Sequence, residues 1–279
     1  MQVPYMSSKD TTMPTVTSAD GTTIGYQTLG TGPALIFVDG ALCYREFGPA
    51  RGLAEALADH YTVHIYDRRG RGTSGNTQPW SPDREIDDLA ALLEAAGGQA
   101  YLFGCSSGAV LAADAANRLP GITKIALYEP PFIVDDTHPA REATFAADTE
   151  ALIARDDRAG ALKKFMTHVG MPRIMVAIMS LTPPWKKLKA VAHTLPYDLR
   201  ILGDTGRGQP LDAARWSGVT APAIVMDGGK SPQYMRNAAK ALSQALPKAE
   251  YRTLPGQTHM VKAAAVAPAV NQFFTGSYR

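Results

Sequence analysis

The chain has 279 residues, 45% of them hydrophobic and 19% charged, with a formal net charge of +2. That length allows one sizeable core with an insertion. The near-neutral balance excludes the dense basic surface of a nucleic-acid binder, and no apolar run approaches the ~18 residues of a membrane span. Two cysteines, Cys43 and Cys105, exclude a disulfide scaffold and fit a reduced, cytoplasmic setting.

Residues 1–14 are polar and punctuated by proline, and read as a flexible leader with no signal-peptide core. Two strands, 16–17 and 22–29, meet at Asp20-Gly21, a hairpin signal. The wholly apolar run 34–38 suits a strand buried on both faces and ends in Asp39-Gly40. Residues 47–59 have the apolar spacing of an amphipathic helix. A strand at 61–66 then leads into the loop DRRGRGTSG, where Arg68, Arg69 and Arg71 form a solvated or loop-bracing group.

Ser81 is a fair N-cap for a helix from Pro82 to about residue 96, and Gly97-Gly98 stops it. A strand at 100–105, a helix at 107–119 and a strand at 123–129 follow, ended by Pro130-Pro131. From 132 to 216 the strand pattern vanishes. Stretches 141–154, 161–169 and 185–192 look helical and are interrupted by prolines. Alternation returns with a strand at 223–226, a helix at 233–246, a strand at 251–254 and a helix at 260–274.

Strands alternating with helices imply an α/β fold, a mostly parallel sheet covered on both faces. The core then comprises residues 15–130 and 217–279. Residues 131–216 form an inserted helical cap.

The stretch GCSSG, residues 104–108, matches G-x-S-x-G where a strand turns into a helix. In that setting Ser106 is a nucleophile on a strained turn. Side chains at Gly104 and Gly108 would clash with neighbouring backbone. The helix after Ser106 aims free N–H groups at developing negative charge. Strand 34–38 ends at the same edge of such a sheet. Its Gly40 N–H, with that of Ser107, would form an oxyanion hole. His259, in the loop LPGQTHMV after the last strand, also reaches that edge and is the expected general base.

With these pieces the chain resembles the α/β-hydrolase superfamily from about Thr15 onward. The resemblance implies an eight-stranded, mostly parallel sheet with helices on both faces, a helical cap, Ser106 as nucleophile and His259 as base. Two features depart from the common pattern. Asp39-Gly40 stands where many members have His-Gly, and Ser231 stands at the usual position of the triad acid. The acid must come from elsewhere. Glu129 ends the strand beside the nucleophile's, and Asp227 is its rival.

Asp-Gly after strand three, GCSSGA at the elbow and Glu-Pro after strand six are similar to zearalenone lactonases and their relatives. That likeness implies a Ser-His-Glu triad, with Trp185 lining the substrate pocket. Met166, Met175 and Phe132 are expected beside it, since an apolar, Met-bearing cap suits a bulky apolar substrate.

The favoured reading is therefore a serine hydrolase of carboxylic esters or lactones. It needs no cofactor and no metal, and its partner is a small-molecule substrate rather than nucleic acid or membrane. An acyltransferase, a carbon–carbon bond hydrolase, a perhydrolase or a non-catalytic ligand-binding protein would share the same residues. Oligomeric state stays open.

Overall fold

In the computed structural model, which describes residues 13–276, eight strands form one sheet in the order β1-β2-β4-β3-β5-β6-β7-β8. They are β1 Thr15–Thr17, β2 Thr23–Leu29, β3 Ala34–Val38, β4 Thr62–Tyr66, β5 Ala100–Cys105, β6 Ile122–Tyr128, β7 Ala223–Gly228 and β8 Ala249–Leu254. β1 and β2 pair antiparallel with each other, and β2 with β4; every other neighbour pair is parallel. The leader lies outside the described residues except for its last two.

The apolar runs sort onto two faces with the period of a strand. Ile36, Val38, Leu102, Ile125, Leu127 and Val225 pack in one core, with helices α2 Pro82–Ala95, α3 Ser107–Ala116 and α9 Gln233–Ala245. Leu35, Phe37, Phe103, Ala126, Ile224 and Met226 pack in the other, with α1 Ala50–Leu57 and α10 Ala263–Thr275. A strand buried on both faces cannot alternate polar with apolar, which is why these strands read as unbroken hydrophobic runs. Ser81 caps α2 by accepting from Arg84 N, with Pro82 in the first turn.

Between β6 and β7 lie α4 Phe145–Ala154, α5 Arg158–His168, α6 Arg173–Met179, α7 Pro183–Val191 and α8 Leu195–Leu202. They have their own apolar cluster, including Leu162, Val176, Trp185, Leu188 and Leu195. Helices α6 and α8 depart from the three-helix expectation. Prolines that looked like breaks sit instead in the first turns of α7 and α8. There no backbone N–H is required and the fixed φ suits the helix. Helix α10 also starts later than its periodicity implied, leaving 259–262 as loop. No described helix is long and apolar enough to cross a membrane.

Candidate active site

Ser106 sits between β5 and α3 with φ 55° and ψ −129°. This is a left-handed conformation that a non-glycine residue adopts at a cost of about 1–3 kcal/mol, held only when its surroundings enforce it. Two glycines allow those surroundings to close in. A Cβ at Gly104 would lie 2.5 Å from Gly108 O, and one at Gly108 would lie 2.2 Å from Val38 O. The serine thus stands proud at the head of α3, where Ser107 N–H is unpaired by the helix ladder.

Glu129 is the first residue beyond β6, fully buried and also at positive φ, 49°. Both of its oxygens are engaged. Oε1 accepts from Gly228 N at 2.7 Å and from Ser231 Oγ at 2.5 Å. Oε2 lies 2.8 Å from His259 Nδ1. A carboxylate only accepts, so the imidazole carries its proton on Nδ1 and leaves Nε2 as a free base. Tyr128 Oη holds the histidine loop by donating to Thr258 O at 2.7 Å.

Asp227 turns the other way. It is fully buried in β7 and accepts from Tyr251 Oη at 2.5 Å, on β8. Of the two carboxylates weighed from sequence, the structure brings Glu129 to His259 and not Asp227. Ser231, at the usual acid position, donates to the Glu129 carboxylate instead.

Ser106, Ser107, Gly40, Ala41 and His259 line one cavity of about 710 Å³. Among the described residues Ser106 and His259 share no direct hydrogen bond. In resting sites such bonds are often long and tighten around a substrate. Gly40 lies hard against the serine: a Cβ there would be 2.9 Å from Ser106 Cβ. Its carbonyl accepts from Arg71 Nη1 at 2.6 Å. In a trans peptide the next N–H points opposite to that carbonyl. The Ala41 N–H therefore points away from Arg71, and Gly40 and Ala41 both line the cavity.

The arginines of the DRRGRGTSG loop are not solvated. Arg68, Arg69 and Arg71 are buried. Arg68 makes a bidentate pair with Glu85 at 2.7 and 2.8 Å and reaches Asp198 Oδ1 at 2.7 Å. Arg71 reaches Asp198 Oδ2 at 2.6 Å. Ser107 Oγ donates to Asp198 Oδ1 at 2.7 Å. Asp198 of α8 thus joins the Gly40 turn, through Arg71, to the residue after Ser106. Burial opposes its ionisation, but Arg71 and Arg68 win and hold its carboxyl below the usual range. Sequence reasoning missed Asp198. A helix pattern marks which face is apolar, not that a buried charge on it will find two arginines.

Asp39 is buried with neither side-chain oxygen hydrogen-bonded. Burial pushes its pKa up to about 7, against the pull of Arg71 and Arg68.

The expected substrate-binding residues divide. Met166 lines the cavity, with Leu42, Phe47, Phe165, Leu188 and Leu199. Trp185 instead packs within the helical cluster. Phe132 is fully buried against Trp216, with ring centroids 5.9 Å apart. Met175 is 51% exposed and away from the cavity. Trp185 goes to the insertion's own core and Phe132 to the core of the sheet, where large apolar side chains are buried first, while Met175 stays exposed on α6. Arg141, His138, His168 and Tyr234, not expected from sequence, also line the cavity.

A strained serine between glycines at a strand-to-helix turn, facing a histidine held by a buried carboxylate, defines an α/β-hydrolase scaffold. The α/β-hydrolase family model matches residues 30–269, and the chain belongs to that family. A crystal structure of an α/β hydrolase from Sphaerobacter thermophilus is 46% identical, with a TM-score of 0.86 over 94% of this chain and 100% of that one. A pimeloyl-[acyl-carrier protein] methyl ester esterase of Chromobacterium violaceum is 27% identical over 84% of this chain and 89% of its own length. An enol-lactonase from Burkholderia xenovorans shares the fold at 20% identity, with a TM-score of 0.66 over 94% of this chain and 100% of that one.

Proposed function

We propose that this protein is a serine hydrolase cleaving a carboxylic ester or lactone through an acyl-enzyme. The observation that carries the reading is the 2.8 Å contact between His259 Nδ1 and Glu129 Oε2, in a cavity shared with Ser106. It leaves Nε2 as the unprotonated ring nitrogen available to Ser106.

Ser106 Oγ attacks the carbonyl carbon as His259 Nε2 takes its proton. The carbonyl π electrons move to oxygen, and the N–H groups of Ser107 and Ala41 receive that charge. Collapse expels the alcohol, which takes the proton from His259. A water molecule then attacks the acyl-enzyme with His259 again as base. Glu129 stays ionised throughout, fixing the tautomer and stabilising the imidazolium. The helical insertion acts as a cap over the site, and its apolar wall favours a hydrophobic acyl or alcohol group. Ester cleavage by the Chromobacterium relative supports the ester reading. The Glu129-based arrangement supports a likeness to zearalenone lactonases within the family.

Turnover of p-nitrophenyl esters and of lactones tests this reading. The Ser106→Ala variant is expected to lose ~10⁴-fold or more in kcat. Turnover that survives in that variant would refute it.

A further inference from the structure

The buried arginines around the site come with partners. Arg45 pairs with Asp67, Arg68 with Glu85 and Asp198, Arg69 with Asp20 and Asp88, and Arg71 with Asp198. Arg141 is the exception. It is only 8% exposed and lines the cavity, yet forms no ion pair with a carboxylate of the described residues. The nearby Asp204 is taken by Arg207 at 3.2 Å. Of the five N–H groups of the Arg141 guanidinium, the protein engages Nη2, which donates to Gly203 O at 2.5 Å. Gly206 supplies a floor for its plane, where a Cβ would lie 2.8 Å from Cζ.

An unpaired guanidinium in an apolar cavity is expensive. Taking such a charge from water costs several kcal/mol unless a counter-charge meets it. Burial and like charge also act on the groups around it. Burial and the nearby Arg207 lower the Arg141 pKa. Burial, with repulsion from Arg141, His138 and Lys164, holds His168 down at about 4. His168 and His138 line the same cavity. The one carboxylate among the lining residues, Asp198, is committed to Arg68, Arg71 and Ser107. The rest of the wall is largely hydrocarbon.

We infer that Arg141, with His138 and His168 beside it, forms an anion subsite, and that the substrate carries a carboxylate remote from the scissile ester or lactone bond. The inference rests on the hydrolase reading for the identity of that bond. An aliphatic stretch would lie along the apolar wall, and the carboxylate would take the N–H groups of Nε and Nη1. Guanidinium suits this role because its planar donors match a carboxylate.

The test compares monomethyl esters of straight-chain dicarboxylic acids of increasing length with the corresponding dimethyl esters. Binding is measured by calorimetry on Ser106→Ala, and turnover on the unsubstituted protein. At the best-fitting length the acid ester is expected to bind about tenfold or more tighter than the diester, the gain of a charge-assisted bond. Adding Arg141→Gln should bring that ratio to about one, whereas Arg141→Lys should keep part of it. A merely structural arginine would change stability without touching the ratio. A ratio near one at every length in Ser106→Ala itself would overturn the inference, and needs no change at Arg141. So would a preference that persists in a folded Arg141→Gln protein. Charge-selective binding without turnover would sink the hydrolase reading and leave the subsite standing. Turnover without charge preference would do the reverse.

Discussion

Glu129 has both oxygens fixed, one on His259 and one on Gly228 N and Ser231 Oγ. Glu129→Gln must therefore present an NH₂ group to a donor, whichever way the amide turns. We expect kcat to fall ~10³–10⁴-fold with the fold retained, since side-chain shape is nearly kept. Asp227→Asn should cost far less, because that carboxylate serves Tyr251. Ser231→Ala should lie between, losing roughly tenfold through one missing bond to Oε1. Rates of the three variants, with circular dichroism for folding, check this order. A crippled Asp227→Asn beside an active Glu129→Gln would contradict it. Asp39 makes a separate, pH-dependent prediction. Its folded pKa of about 7 lies above the usual carboxylate value. The folded state therefore holds a proton that the unfolded state has released. Stability should fall as pH rises from about 4 through about 7. Asp39→Asn removes that penalty, and its gain over the parent should grow to roughly 2–4 kcal/mol by about pH 8. Urea unfolding at a series of pH values measures it. A gain that is flat with pH would show that Asp39 does not titrate in this range.

Helix α8 ties the insertion to the Ser106 turn through Asp198, which accepts from Ser107 Oγ, Arg68 and Arg71. Removing that carboxylate leaves the buried Arg71 without a counter-charge and Arg68 with Glu85 alone. Asp198→Ala is expected to lose about 3–5 kcal/mol of stability, the usual cost of breaking a buried pair from one side. Ser107→Ala should lose only about 1 kcal/mol. Equal losses in urea unfolding would mean that the ion pairs contribute little beyond one hydrogen bond. Helix α7 serves a different end. Trp185 is 8% exposed within the insertion's own cluster. Its replacement by alanine should cost roughly 3–5 kcal/mol, as for large core truncations. Loss of activity on bulky and small esters alike, in step with that unfolding, would fit a packing role. A selective loss on bulky esters in a fully stable protein would restore Trp185 to the pocket.

Across the whole molecule, the sheet and its site edge were legible because burial on both faces leaves a simple mark, a short unbroken apolar run. The elbow was legible for a related reason. Gly104 lets β5 close on α3 and Gly108 lets the end of β3 close on α3, and both glycines fall at fixed spacing around one turn. The approach of Glu129 to His259 could be inferred from a vacancy, Ser231 at the usual acid position. What lay beyond sequence depends on how distant elements pack. Prolines start α7 and α8 instead of ending them. The Gly40 carbonyl, held by Arg71, turns the Ala41 N–H away from that arginine. Trp185, Phe132 and Met175 leave the pocket while Arg141 enters it, because helices with no fixed register to the sheet decide which faces meet. The central claim remains that the fold exists to make one serine nucleophilic. Labelling with a fluorophosphonate tests it most directly, since that reagent needs both the activated serine and its oxyanion donors. We expect one adduct per chain, mapped to Ser106 in the peptide 101–118, strongly slowed in His259→Ala and absent in Ser106→Ala. An adduct on Ser107 or elsewhere, or labelling that persists in Ser106→Ala, would contradict the account.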